Sequence, residues 1–469
     1  MLTFEALSLD TIQKYLPHIR KNPYGCNDIS AGSLFMWGRD VRFCLWRDTF
    51  AVREIIGEQP AFTWPYGPQA DAMVDELMAC ARAEDLPLRF FAVNDETLEA
   101  IRGDGRFHTV SAACERRWSD YLYDFEDAAS FRGRKFSGQR NHVNKFRRLY
   151  GEPQVRALRA EDLPLLQDML SDYAKEHADG GPLETLELEK TRSLLKHIDS
   201  LDLLAGALFV EGQIAAFSLG EVAGDMLMIH VEKALRRYEG AYPVMYQGLV
   251  KLAWDALGHP LRLVNREDDS GDPGLRVSKM QYQPVAMVNK YLAHIDSPAA
   301  RLTGLPVLRR GGAVLTPMRE SDKAAYWRLN TDVDNNRWWG YDYREDENLP
   351  HPIDENTFYD SAMVDMKAGD SVNFAVRTEE TGGMIGEVIL WNFTLNGEAE
   401  IGCRLLPEWQ GRGLGRAAFG AAVSLALDLG LRPWARCFIE NEPSRRMIEA
   451  NGFRPARRDA ERIYFEPGD

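Results

Sequence analysis

The most constraining stretch of this 469-residue chain is IGCRLLPEWQGRGLGRAAFGAAVSLALDLG, Ile401–Gly430. Polar and apolar residues alternate up to Leu406, which predicts a strand, and the apolar run from Gly415 to Gly430 predicts a helix. Between them lies Gln410-Gly411-Arg412-Gly413-Leu414-Gly415-Arg416. Glycines at 411, 413 and 415 let the main chain turn its N–H groups toward one point, and the helix that follows adds the positive end of its dipole. Strand, glycine turn and helix in that order describe a cradle for an anion the size of a pyrophosphate. A plain turn is the alternative.

The neighbouring pattern extends this reading. Strands are predicted at Val372–Arg377, Met384–Trp391 and Glu398–Leu406, then at Trp434–Glu440, with a helix over Pro443–Ala450. Asn441-Glu442-Pro443-Ser444, Met447, Ile448 and Asn451-Gly452-Phe453 follow the loop at a fixed distance. This set, with the Gln-x-x-Gly-x-Gly spacing, resembles the acyl-CoA loop and the next helix of the GNAT N-acetyltransferase superfamily. The resemblance covers residues 306–469 and is nearest to the branch that acetylates N-terminal amines of ribosomal proteins and related small amines. It implies acetyl-CoA as cofactor, held by Leu405, Gln410, Gly411, Arg412, Gly413, Leu414, Gly415, Arg416 and Asn441, with the central strands splayed around the pantetheine arm. It also implies direct attack by a primary amine, either a small molecule or a peptide N-terminus. Many members carry a Tyr seven residues after the Asn to protonate the leaving thiolate. This chain has Ile448 there, so the acid role passes to the nearest hydroxyl, Ser444.

An attacking amine must lose a proton, and a carboxylate on the strand before the loop would take it. Glu400 lies where the family often places one; Glu387 and Glu398 are its rivals, and a solvated strand-edge glutamate is the plain alternative for each. Upstream, Asn336-Arg337-Trp338-Trp339-Gly340-Tyr341-Asp342-Tyr343 falls where the family walls its acceptor. Trp338, Trp339 and Tyr341, beside Asp342, Glu345 and Asp346, would receive a cationic amine through aromatic faces and charge, and Glu387 is expected in the same substrate-binding set. Packing of both tryptophans into the core is the other reading.

Length alone predicts about three compact units. Residues 1–125 alternate helical and strand patterns, and LLAGALFVEG, QIAAFSLGEVAG and DMLMIHVEKA read as consecutive antiparallel strands. Asp296–Gly312, rich in Pro, Gly and Arg, reads as a linker. The expected division is 1–150, 151–297 and 306–469, three α/β lobes, each a mixed and mainly antiparallel sheet flanked by helices.

The net charge is −15, yet Phe131–Tyr150 carries Arg132, Arg134, Lys135, Arg140, Lys145, Arg147 and Arg148 with no acidic residue. Such a run, over 132–148, fits RNA phosphates, those of tRNA included, a CoA 3′-phosphate or an acidic partner, or pairs with the acidic remainder of the chain. Asp120–Asp124, RNHVNKF, His230-Val231-Glu232-Lys233, Tyr238-Glu239-Gly240 and Val264–Asp269, with Lys279 and Tyr282, resemble a family of soluble, largely uncharacterised proteins. That family is similar to the C-terminal catalytic region of phosphatidylglycerol lysyltransferases, which implies two GNAT-like lobes and, in the lysyltransferases, aminoacyl transfer from tRNA to a lipid head group. A second candidate site follows: Arg134, Lys135, Arg140, Asn141, His230, Glu232, Lys233, Asn265, Arg266 and Glu267. A satisfied structural network is the alternative, and a lone His in an apolar strand is either a bonded core residue or a base. For residues 1–297 two roles stand open, aminoacyl-tRNA-dependent transfer or non-catalytic acceptor binding.

Six cysteines without a C-x-x-C pair and nine dispersed histidines predict no metal site. The absence of a signal-like start and of about 18 consecutive apolar residues predicts no membrane insertion and a cytoplasmic protein.

Overall fold

The computed structural model describes residues 2–177, 182–302, 304–346, 349–350 and 352–468, and these build three mixed sheets. Each is antiparallel except for one parallel pair, and one helix bridges each parallel pair. In the first, Gln59–Phe62 leads through helix Ala70–Ala83 to Leu88–Val93. In the second, Met226–Ala234 leads through Ala241–Leu257 to Leu263–Asn265. In the third, Glu398–Leu405 leads through Leu414–Asp428 to Arg432–Phe438. Parallel neighbours cannot be joined by a tight hairpin, so the helix is the necessary crossover. The α/β class and mainly antiparallel sheets expected from the sequence are what the chain forms.

The first two sheets do not part at residue 150. Strand Asp120–Asp124 lies in the second sheet, between Leu263–Asn265 and Ala286–Val288. Tyr291–Ile295 then returns to the first sheet, between Leu88–Val93 and Val110–Ala113. The expected boundaries 1–150 and 151–297 are corrected accordingly, because residues 120–150 pack with the second sheet and 291–295 with the first. One core also runs between them, with Ile12, Phe43 and Phe50 from the first side and Leu166, Phe217 and Leu219 from the second. Each such side chain contributes about 1.5–3 kcal/mol when buried, so the two sheets are held as one unit.

The third sheet starts at Leu308–Arg310. Helix Leu414–Asp428 covers one face, setting Phe419, Ala422 and Ala426 among Leu390 and Ile401. Helices Lys323–Thr331 and Thr357–Ala368 cover the other with Tyr326, Leu329 and Phe358. This unit touches the first sheet directly: Asp370 accepts from Arg89 and His294, both at 3.2 Å, and Arg432 pairs with Asp85 at 2.7 Å.

The parallel pair of the third sheet is short. Glu398–Glu400 lies beside Arg432–Trp434, and beyond that the two strands run on to Leu405 and Phe438 without pairing. The sheet therefore opens into a wedge.

Candidate active site in the C-terminal wedge

The wedge is part of a cleft of about 800 Å³. At one end stands the glycine turn. Gly411 and Gly413 have φ of +71° and +79°, a region costly for other residues, and a Cβ at either would meet nothing within 4 Å. Helix Leu414–Asp428 begins there with no side chain among the described residues capping its first turn, which leaves its leading N–H groups for another acceptor. Gln410 fixes the turn by donating to Asn335 Oδ1 and to the carbonyl of Leu405, both at 3.0 Å. Leu405, Gln410, Gly411, Gly413, Gly415, Arg416 and Asn441 line the cleft. Arg412 and Leu414 do not: Arg412 folds back over Trp409 and donates to the carbonyl of Glu408, and Leu414 packs into the core.

Asn441 caps helix Glu442–Glu449 by accepting from the amide of Ser444 at 3.2 Å, and both residues line the cleft. Glu400 lines the same cleft. Its carboxylate is 3% exposed, accepts from Asn392 Nδ2 at 2.7 Å and forms an ion pair with Arg436 Nε at 2.9 Å. Burial pushes its proton affinity up and Arg436 pulls it down; burial prevails, and the carboxyl is raised to about 7.

Trp338, Trp339 and Tyr341 form part of the cleft wall and are half-buried, Tyr341 also packing against the core beside Phe358. Gly402 explains how they come so close. A Cβ there would fall 2.6 Å from the rings of Trp339 and Trp391, which meet each other at 5.7 Å. Arg404 lies over Trp339 at 4.7 Å.

Glu387, expected in the acceptor wall, is not there. Its carboxylate is buried beneath helix Lys323–Thr331, accepting from Tyr326 at 2.9 Å, Asn373 at 2.7 Å and Arg404 at 2.9 Å. Its saturated oxygens hold Arg404 in place. Glu398, the other rival base, stands outside the cleft lining in an ion pair with Arg432. Arg436, Asn392, Trp391 and Phe438 were missed by sequence reasoning, as were Glu58, Arg89 and His294 of the first sheet, which also line the cleft. Alternation along Glu400, Gly402 and Arg404 could have signalled Arg404; nothing local signals residues delivered by a distant sheet.

The second candidate set divides in two. His230 lies between two carboxylates, Nε2 at 3.0 Å from Glu221 and Nδ1 at 2.8 Å from Glu267. Burial lowers its proton affinity, but these bonds outweigh it and raise the ring to about 10. Held by both carboxylates, the ring favours its protonated form at neutral pH. Arg266 pairs with Glu232 at 2.7 Å and lies over Tyr246 and Tyr282 at 4.3 and 4.4 Å. Asn265 donates to Asp120 at 2.9 Å, and Lys233 pairs with Glu187 at 2.7 Å. Lys290 is enclosed by Asp28, Asp120 and Asp268 at 2.8, 2.9 and 3.3 Å. Arg134, Lys135, Arg140 and Asn141 lie elsewhere, and among the described residues no hydrogen bond or ion pair joins them to this network. Lys135 pairs with Asp127, and Arg140 donates to the carbonyls of Phe131 and Gly133.

A family model described as phosphatidylglycerol lysyltransferase, C-terminal, matches residues 23–294, more than half of the chain. The chain belongs to that family. A second model, acetyltransferase (GNAT) domain, matches residues 313–454 of this lysyltransferase-C protein, the part that holds the glycine turn and Glu400. Acyltransferase is therefore its enzyme class. Over 180 residues, 38% of the chain, it is 23% identical to an uncharacterized protein of Mycoplasmoides gallisepticum, and the match spans 56% of that relative's length. Among solved structures it is similar to a conserved protein of unknown function from Bacteroides thetaiotaomicron, 26% identical with a TM-score of 0.57. That match covers 63% of this chain and 100% of the other. It is also similar to L-PGS of Bacillus licheniformis, 16% identical over 62% of this chain and 92% of that one, TM-score 0.45. Spermidine N-acetyltransferase of Vibrio cholerae, solved with CoA and spermine, is 18% identical over 33% of this chain and 96% of that one, TM-score 0.29.

Among the described residues no helix is long and apolar enough to cross a membrane, and no group of three or more His, Cys, Asp or Glu could hold a metal ion.

Proposed function

We propose that the C-terminal domain binds acetyl-CoA in this cleft and acetylates a primary amine, of a small molecule or a peptide N-terminus, by direct attack. Acetyl-CoA would supply the thioester. The main-chain amides of residues 411–416 and the Arg416 guanidinium would hold the diphosphate, and the fit rests on two features: glycine positions with open space beyond them and a helix start that no side chain caps. The single observation that carries the reading is Glu400, a buried carboxyl raised to about 7 in the same cleft. A base of that strength would take a proton from the acceptor's ammonium group and so free the nitrogen lone pair for attack on the thioester carbonyl, the thiolate then being the leaving group. Ser444, at the start of the cleft-lining helix, is the hydroxyl offered for the departing thiolate.

The other two crossovers favour this domain over the first two. Gly240, before helix Ala241–Leu257, sits so close to the His142 carbonyl that a Cβ would lie 2.4 Å from it. Gly67, before helix Ala70–Ala83, is packed against the Asp48 carbonyl in the same way, at 2.5 Å. Protein fills the space that the third crossover leaves open.

Titrating acetyl-CoA calorimetrically into the whole chain and an Arg416→Glu variant tests the reading. Gly413→Glu is less suited, since φ of +79° would strain any side chain there. The expected result is binding by the parent and at least roughly tenfold weaker binding by the variant, the scale of one charge-assisted contact. Equal affinity, or no binding by either, defeats the proposal.

Membership of the lysyltransferase-C family favours a second activity, aminoacyl transfer from charged tRNA within residues 23–294. Arg132, Arg134 and Arg148 are exposed and, among the described residues, have no ion pair. Binding of charged tRNA that falls steeply with salt would support it, and salt-independent binding or none would exclude it.

A further inference from the structure

The turn at Gly57–Gln59 of the first sheet reaches across to the C-terminal cleft, where Ile56, Gly57, Glu58 and Gln59 form part of the wall. From this turn the Glu58 carboxylate accepts from Arg436 Nη2, while Nε of the same guanidinium donates to Glu400 at 2.9 Å. Carboxylate, guanidinium and carboxylate thus form a chain that begins in one domain and ends on the candidate base of another. Exposure falls along it, from 56% for the Glu58 side chain through 19% for Arg436 to 3% for Glu400. The charged groups that face Glu400 are Arg436 on the neighbouring strand and Glu58 across the interface. Asn392, its remaining partner, is neutral, and Tyr464 stands beside Arg436 from the next strand.

We propose that Glu58 is a positioning residue for acetyl transfer, sharing the Arg436 guanidinium so that Glu400 keeps its strength as a base. The lysyltransferase-C domain then completes the acetyltransferase site. This rests on the acyl-transfer reading above. An arginine given wholly to one carboxylate fixes it as a permanently ionised, weakly basic group, because the bidentate pair stabilises the charged form. Divided between two carboxylates, Arg436 gives Glu400 only Nε. The negative charge of Glu58 acts in the same direction, favouring the protonated form of Glu400. Without Glu58, Arg436 turns to Glu400 alone and the proton affinity of Glu400 falls.

The test is a carboxylate titration of the full chain labelled with ¹³C in its glutamates, without cofactor or acceptor. Glu400 is assigned by the signal missing in Glu400→Gln. The parent is expected to titrate near 7. Glu58→Gln and Glu58→Ala are expected to lower the midpoint by about half a unit, the scale of one partly exposed charge. Glu58→Asp, which keeps the charge, is expected to retain the parent value. Glu58 lies in an exposed turn, so two independent replacements guard against an effect of either side chain on folding. An unchanged midpoint in both neutral variants overturns the proposal. Failure of acetyl-CoA to bind would defeat the acyl-transfer reading while leaving this titration intact, so the two failures are distinguishable.

Discussion

Replacing Glu400 with Gln should remove activity and, at alkaline pH, stabilise the fold. The carboxyl and the amide have the same size, and Gln can still accept from Asn392, so packing is preserved. What changes is the charge. A glutamate moved from 4.5 to about 7 by burial binds its proton more tightly folded than unfolded. The sign follows: the native state holds more protons than the unfolded state between those values, so stability falls as pH rises from about 4.5 through 7. The full cost of the ionised form at pH 8, with the pull of Arg436 already included, is about 3 kcal/mol. Glu400→Gln should therefore equal the parent near pH 4.5 and exceed it by roughly 1–3 kcal/mol at pH 8. Hydrogen exchange of peptides covering 398–405 and 432–438, measured at both pH values, reads the difference. Loss of a general base predicts about a 10²–10⁴-fold lower rate with an amine acceptor. Equal protection at pH 8, or a variant as active as the parent, would rule out Glu400 as a buried base.

Two further outcomes follow from the packing. Gly402→Ala places a methyl 2.6 Å from Trp339 and Trp391, so the rings must retreat; about 1–3 kcal/mol of stability and a higher KM for the amine are expected, with acetyl-CoA affinity unchanged in calorimetry. Lys290→Met removes the cation that pairs with Asp28, Asp120 and Asp268, at a cost of about 3–5 kcal/mol in urea unfolding. Asp120 is already raised to about 6 by burial, despite Lys290, so the loss should be largest above pH 6 and shrink as pH falls and the carboxyl takes a proton.

What was legible in the sequence is what is local. The turn at 410–416 is written in consecutive residues, and its open glycines and uncapped helix are properties of the chain within a few positions of them. Glu400 could be placed on a strand before the loop, but its strength as a base depends on Arg436, 36 residues on, and on Glu58, 378 residues before Arg436. No periodicity encodes such meetings. Glu387 shows the opposite error: it lies across from Arg404 in the sheet, and Tyr326, brought over by a helix, together with Asn373 of the neighbouring strand makes it a buried anchor rather than a wall residue. The boundary near residue 150 failed because Asp120–Asp124 and Tyr291–Ile295 each join the sheet that their sequence neighbours do not suggest. Pairing of strands far apart in the chain is decided by shared burial, not by local pattern.

The claim that the C-terminal wedge is an acyl-CoA site is tested most directly by a crystal structure of the full chain grown with acetyl-CoA. The diphosphate is expected against the amides of residues 411–416, the pantetheine arm between strands 398–405 and 432–438, and the thioester beside Glu400. Acetyl-CoA bound elsewhere on the chain, with the wedge holding only solvent, would contradict it.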